Sequence, residues 1–406
     1  MAVRARSDGV MIRIRGMRRT FTLVPAMNYA KRGILVVNSR HCGAVLDALS
    51  ELKPIFIDLK SPTLFISLRF FWKLQRLRRS HSNEVAYVAA VIEFLDIGVV
   101  VSTDALTTAD KQSILHLVRT LLPGVEAISV PHGSYAPGLE YHPIDNFTGE
   151  LVVIETDVIL ASIGERDKES YSRWGLKHRE VVPIGLLTSA LHSSISSENN
   201  IHKDSDICLI EHLPSFTKKL GPLEEQAFAQ IERLCTLVKE YVKLNGLSIV
   251  VALRPKNSSI IDDDGDNIEI VKDWFVRRLG GLCSFTDSSI EFATHRACDS
   301  SEVTICVDST AVLDSFSRGN KVLTIWNEHS PLGFPSHELC MLVNPSFEQF
   351  SKSLDLIRNM PNEEYLNRTS KIGDWLVKRD ATVKADARLR ELVEGRLHGT
   401  KGFDRW

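Results

Sequence analysis

The chain has no Cys-x-x-Cys pair, and its seven cysteines, Cys42, Cys208, Cys235, Cys283, Cys298, Cys306 and Cys340, are scattered and odd in number. That pattern argues against a disulfide framework and a structural zinc and points to a reducing compartment. An apolar run able to cross a bilayer is also missing. The longest candidate, EVAYVAAVIEFLDIGVVVS, carries Glu93, Asp96 and Gly98 and reads as a helix running into a strand. The N-terminus is rich in arginine but lacks a secretory apolar segment, so a cytoplasmic location is expected. Nor is there an excess of charge: 49 basic against 51 acidic residues leave a net charge of -2. A protein relying on a global positive field to hold nucleic acid is thereby excluded.

Several signatures of chemistry are absent too. There is no Walker loop, no Gly-x-Ser-x-Gly nucleophile elbow and no His-Glu-x-x-His. GILVVNSRHCG lacks the Gly-x-Gly-x-x-Gly spacing of a dinucleotide loop, and the adjacent His41 and Cys42 have no third ligand in sight. No resident cofactor or metal is expected. The acids of IDDDGD do not fit a calcium loop and read as a solvated loop, or as ion-pair partners for the cations just before them.

What the chain does have is length and alternation. Its 406 residues, 44% apolar and 25% charged, are too many for one core and suggest two domains. Residues 1–30 form a basic arm with Arg4, Arg6, Arg13, Arg15, Arg18 and Arg19 against Asp8, in which VMIRIRGM alternates like an edge strand. From residue 31 to 190, short apolar runs alternate with helical spacing: GILVVNS, KPIFIDL, IGVVVSTD, VEAISV and VILASI are the strands. A Ser/Asn-rich linker over 191–205 follows. A second alternating unit covers 206–345 and includes DICLIEHL, LSIVVALRP, VTICVDS and KVLTIWN. The tail over 346–406 reads as helices able to pack back across both units.

Alternating strands and helices predict an α/β fold of doubly wound domains, which bind ligands beyond the carboxyl ends of their strands. Four endings therefore matter. ISVPHGSYAPG places His132 and Gly133 where a strand breaks: the glycine permits close approach of a ligand, and the histidine is a candidate general base. The plain alternative is a histidine in a turn. ALRPKNSS puts Arg254 and Lys256 after a buried strand, a fork and a point charge for phosphate. CVDSTAVLD places Asp308, Ser309 and Thr310 at a helix start, an anion site in the making, although Ser and Thr are also the commonest caps. Glu165 and Arg166, after VILASIG, are either site residues or first-turn helix charges.

A separate feature is the stretch Phe65 to Arg79, in which Phe70, Phe71 and Trp72 mix with Lys73, Arg76, Arg78 and Arg79. Two readings stay open: a core-packing helix with solvated arginines, or a helix lying on a membrane surface together with the basic arm.

Taken in order, ISVPHGSYAPG, VILASIGERDKESYSRWGL, VVPIGLL, LRPKNSS, VDSTAVLDSFSRGNKVLTIW and SPLGFP resemble the bacterial surface-carbohydrate transferases. These are the capsule Kdo transferases, the polysialyltransferase-like proteins and, more distantly, the CDP-glycerol glycerophosphotransferases of teichoic acid synthesis. The resemblance runs from Ile128 to Pro335. It implies a GT-B architecture of two facing Rossmann-like domains with C-terminal helices crossing back. It also implies that His132 and Gly133 face the reacting centre, while Arg254, Ser309 and Thr310 hold the donor's phosphates. Pro131 stands where family members commonly have Gln, and the acid that follows the Ser-Thr motif is Asp314. The implied activity is metal-independent glycosyl transfer from a nucleotide-activated sugar to a surface polysaccharide or glycolipid; the basic arm and residues 65–79 separately suggest a cytoplasmic protein able to sit on the inner face of the cell membrane. Transfer of a polyol phosphate from a CDP-linked donor, and a GT-B-shaped binding or scaffold protein without catalysis, are the alternatives.

Overall fold

The structure, a computed structural model, describes residues 10–12, 21–24, 33–38, 43–59, 64–65, 68–103, 114–130, 154–173, 176–190, 204–213, 222–253, 268–307, 309–327, 333–379 and 383–398. Three sheets organise it. The smallest joins β1 (Val10–Ile12), β2 (Phe21–Val24) and β5 (Leu64–Phe65), with β1 antiparallel and β5 parallel to β2. The first three residues of VMIRIRGM are thus a strand, and β2 is tied to β5.

The second sheet contains β3 (Gly33–Asn38), β4 (Ile55–Asp58), β6 (Ile97–Ser102), β7 (Glu126–Ser129), β8 (Ile154–Ser162) and β9 (Leu176–Pro183) in the order β4-β3-β6-β7-β8-β9. All its pairings are parallel. A parallel sheet buries both faces, which is why its strands read as apolar runs without alternation. β3 shows it: Leu35 and Val37 join the core on one face, Ile34 and Val36 the core on the other. The helix Asn83–Leu95 covers the first face. Its Ser82 cap accepts the Val85 N–H at 3.4 Å, and Asp96 closes it in the left-handed conformation, φ 52°, directly before β6.

The third sheet contains β10 (Ser205–Ile210), β11 (Ile249–Ala252), β12 (Cys283–Phe285), β13 (Ser301–Cys306), β14 (Val322–Trp326) and β15 (Met341–Val343). It too is wholly parallel, in the order β12-β11-β10-β13-β14-β15. The direction of winding reverses between β10 and β13 here, and between β3 and β6 in the second sheet, so each has one topological switch point. The long helix Pro222–Asn245 and the helix Ile268–Leu279 pack on the third sheet through Tyr241, Val238 and Phe275.

The tail returns as expected. The helix Phe347–Asn359, held by a capping box of Ser346 and Gln349, stays with the third sheet through Phe350, Leu354 and Ile357. The helix Ala385–Leu397 crosses back, and Leu389, Leu392 and Val393 complete the core beneath β3, β6 and β8. The Ser/Asn-rich segment over 191–203 lies outside the described residues, and β10 opens at Ser205, the last residue assigned to that linker from sequence.

Candidate functional site

Where the two large sheets face each other lies a cavity of 680 Å³. Its walls are the ends of strands. From the second sheet come Ala44 and Val45 of the helix Gly43–Ala48 that follows β3, Thr103 after β6 and Val130 after β7. From the third come Glu211 and His212 after β10, Ala252 at the end of β11, and Ser309, Thr310 and Ala311 at the start of the helix Thr310–Ser317. Both switch points therefore open on one space, the position at which open α/β sheets take ligands.

The described part of the expected site divides clearly. Ser309 and Thr310 line the cavity. Ser309 has extended backbone and its hydroxyl accepts the Ala311 N–H at 3.4 Å, so it is the helix cap as well as part of the wall. The remaining first-turn amides make the helix start an electropositive surface. His132, Gly133, Arg254, Lys256 and Asp308 lie outside the described residues. The residues that lead into them are described: Val130 and Ala252 line the cavity, and Leu253 is fixed from both sides. Its N–H donates to Thr286 Oγ1 at 2.9 Å, and its carbonyl accepts from buried Thr294 Oγ1 at 3.0 Å.

Asp314 also lines the cavity, with its carboxylate engaged in joining the two halves. Thr188 donates to Oδ1, Ser189 donates to the same oxygen at 2.9 Å, and Ser317 donates to the Ser189 hydroxyl at 2.6 Å. His295 Nε2 stands 3.7 Å from Oδ2. Burial works to raise the Asp314 pKa. The hydrogen bond and charge of His295, the Thr188 hydroxyl and the charge of Arg318 outweigh it and leave the carboxyl below its ordinary value.

Glu165 is exposed in the first turn of the helix Glu165–Arg173, as a plain helix charge would be. Arg166 is buried instead. It donates to Asp167 Oδ1 at 3.0 Å, while Asp167 Oδ2 accepts the Ile163 N–H at 2.9 Å. The Arg166 side chain lies against Gly333, where an added Cβ would overlap the guanidinium. Neither residue lines the cavity; Arg166 fills the junction between the halves.

Some of the wall was not singled out in the sequence. Glu211 and His212 follow β10, the strand at the switch point, and Glu211 Oε1 caps the turn by accepting the Leu213 N–H at 2.7 Å. Applying the strand-ending test to LIEHL would have found them. Phe292, in the left-handed conformation with φ 58°, stands edge-on to His295 at 5.4 Å, and both face the cavity. They follow a three-residue strand, β12, too short to be read from periodicity. Among the described lining residues the charged groups are Glu211, Glu291 and Asp314, with no lysine or arginine. Among the described residues no group of His, Cys, Asp and Glu converges as a metal site, and no helix is long and apolar enough to cross a membrane.

No protein-family model matches the chain, and no curated protein sequence matches it. Solved structures do. A glycosyltransferase from Rickettsia africae superposes with a TM-score of 0.52 at 10% identity, over 92% of this chain and 100% of that one. MnaA from S. aureus, in a co-structure with UDP, superposes with a TM-score of 0.51 at 11% identity, over 91% and 97%. The UDP-GlcNAc 2-epimerase of Methanocaldococcus jannaschii gives 0.51 at 11%, over 89% and 99%. Together with the two parallel six-stranded sheets, these likenesses assign the chain a GT-B fold.

Proposed function

We propose that this protein is a nucleotide-sugar-dependent glycosyltransferase that works without a metal ion and delivers its sugar to a surface polysaccharide or glycolipid. The observation that carries the reading is the 680 Å³ cavity at the two switch points, with a serine-capped helix start in its wall. The described wall offers carboxylates and no cationic side chain. A diphosphate bound there draws its positive charge from the Thr310 helix terminus and from Arg254 and Lys256, which follow the pinned Leu253. These groups neutralise the leaving phosphate, and His132, two residues beyond Val130, accepts the acceptor hydroxyl's proton. The fold is one in which S. aureus MnaA binds UDP. Because an epimerase of UDP-GlcNAc shares it as well, epimerisation of a nucleotide sugar is the second reading, with the same donor site and no acceptor.

The test is a thermal-shift series with CMP, CDP, UDP, GDP and dTDP on wild type and Arg254→Ala. One nucleotide is expected to stabilise wild type, by about 2.7 kcal/mol at a hundredfold excess over Kd, and the variant to lose most of that shift. The matching nucleotide sugar is then incubated with and without acceptor and followed by NMR. Transfer abolished by His132→Ala supports the transferase. A 2-epimer formed without acceptor supports the second reading. Absence of any shift at millimolar nucleotide would overturn both and leave a scaffold protein.

A further inference from the structure

The helix Leu68–Leu77 divides its side chains between two environments. Phe70 and Leu74 are buried; Phe70 stands edge-on to Tyr87 at 6.3 Å and to Phe94 at 5.6 Å, and Lys73 pairs with Glu93 of the same neighbouring helix. The opposite face points away from the protein. Trp72 is 72% exposed and Phe71 56% exposed, the two most exposed aromatic side chains among the described residues. Arg69 and Arg76 lie three residues before and four after Trp72, one turn to either side of it, and Arg78 and Arg79 extend the row; all four are exposed. None of the four forms an ion pair among the described residues, and the helix contains no acid. Burial and then the charges of Arg69 and Arg76 push the Lys73 pKa below its ordinary value.

An exposed indole rimmed by guanidinium groups has two unmet demands. The ring gains from leaving water, and the cations gain from phosphate. The boundary between headgroups and acyl chains of an anionic bilayer meets both within a few ångströms. A soluble acidic protein would serve only the arginines. Single-stranded nucleic acid is held in grooves that track its backbone, and this is a convex helix face. We propose that the helix Leu68–Leu77 docks the protein on an anionic lipid surface, with Trp72 and Phe71 entering the interface and Arg69, Arg76, Arg78 and Arg79 pairing with lipid phosphates. The inference is independent of the activity proposed above.

The experiment is flotation of the full chain with vesicles of phosphatidylcholine, with and without phosphatidylglycerol. Wild type is expected to float with the anionic vesicles only, and to be released by high salt. Arginine near an anionic surface contributes roughly fivefold to partitioning, so Arg69→Glu/Arg76→Glu should weaken flotation by more than about tenfold. Trp72→Ala should weaken it at every salt concentration, while Arg69→Lys/Arg76→Lys should retain it. Brominated acyl chains should quench tryptophan fluorescence in wild type more than in Trp72→Phe. All these positions are exposed, so unchanged melting temperatures are expected. Undiminished flotation of the double reversal would assign the binding to the basic arm and overturn the proposal, as would binding to single-stranded DNA with none to vesicles.

Discussion

At the scale of single residues, two positions on one helix, its cap Ser309 and Asp314 in its interior, share the cavity wall and do different work. Ser309 lines the cavity as the helix cap, and the Asp314 carboxylate, five residues on, is engaged by Thr188 and Ser189. Its carboxylate holds the second domain against the segment that follows β9. Because its folded pKa lies below the unfolded value, its contribution to stability is full above the ordinary carboxylate value of 3.8 and is lost only as pH falls through the lowered one. Asp314→Ala removes the carboxylate that accepts from Thr188 and Ser189 and faces His295, and should cost about 2 kcal/mol. In denaturant titrations the gap to wild type is expected not to narrow from pH 8 down to about pH 5. A gap that closes within that range would mean that Asp314 is not the ionised acceptor described.

At the scale of elements, much was legible and the reasons are physical. Strands β3 and β6 announce themselves as Val/Ile/Leu runs, and β10 and β13 as shorter buried stretches, ICLI and VTIC. The helix that EVAYVAAVIEFLDIGVVVS suggests, running into a strand, is Asn83–Leu95 followed by β6, with Ser82 as its cap. Periodicity failed where elements are short: β12 and β15, three residues each, carry too few positions to show a pattern. It also failed where a residue matters through a distant partner. Gly164 stands between β8 and the helix Glu165–Arg173. Its φ is unremarkable, and the constraint comes from the helix Ser370–Val377, whose Leu376 carbonyl an added Cβ would strike. Backbone cannot yield as a flexible side chain can. Gly164→Ala is therefore expected to destabilise by about 1–3 kcal/mol, the range of overpacking, and to lower the melting temperature accordingly. A melting temperature equal to wild type would show that this helix can shift without cost.

At the scale of the whole molecule, the two sheets are joined by chain that crosses twice. After β9 the backbone passes to the second domain, and after Val377 it returns so that the helix Ala385–Leu397 can seat on the first. Arg388 ties the two crossings together, donating to the carbonyls of Ile184 and Lys378 at 3.1 Å each, while Arg390 pairs with Glu51 at 3.1 Å. The sequence disclosed a helical tail, but its seat could not be read, because the apolar stripe of Leu389, Leu392 and Val393 has no sign of which sheet it completes. The consequence is coupling. Leu392 is fully buried among side chains of β3, β6 and β8, so Leu392→Asp places an unpaired carboxylate in the core of a domain nearly the whole chain length away. Hydrogen exchange should then accelerate in β3 and β6 as well as in the helix, while β13 and β14, whose core is separate, keep most of their protection. Faster exchange confined to residues 383–398 would show instead that the first domain holds its core without the crossing helix, and that the tail is an addition to the fold and not a part of it.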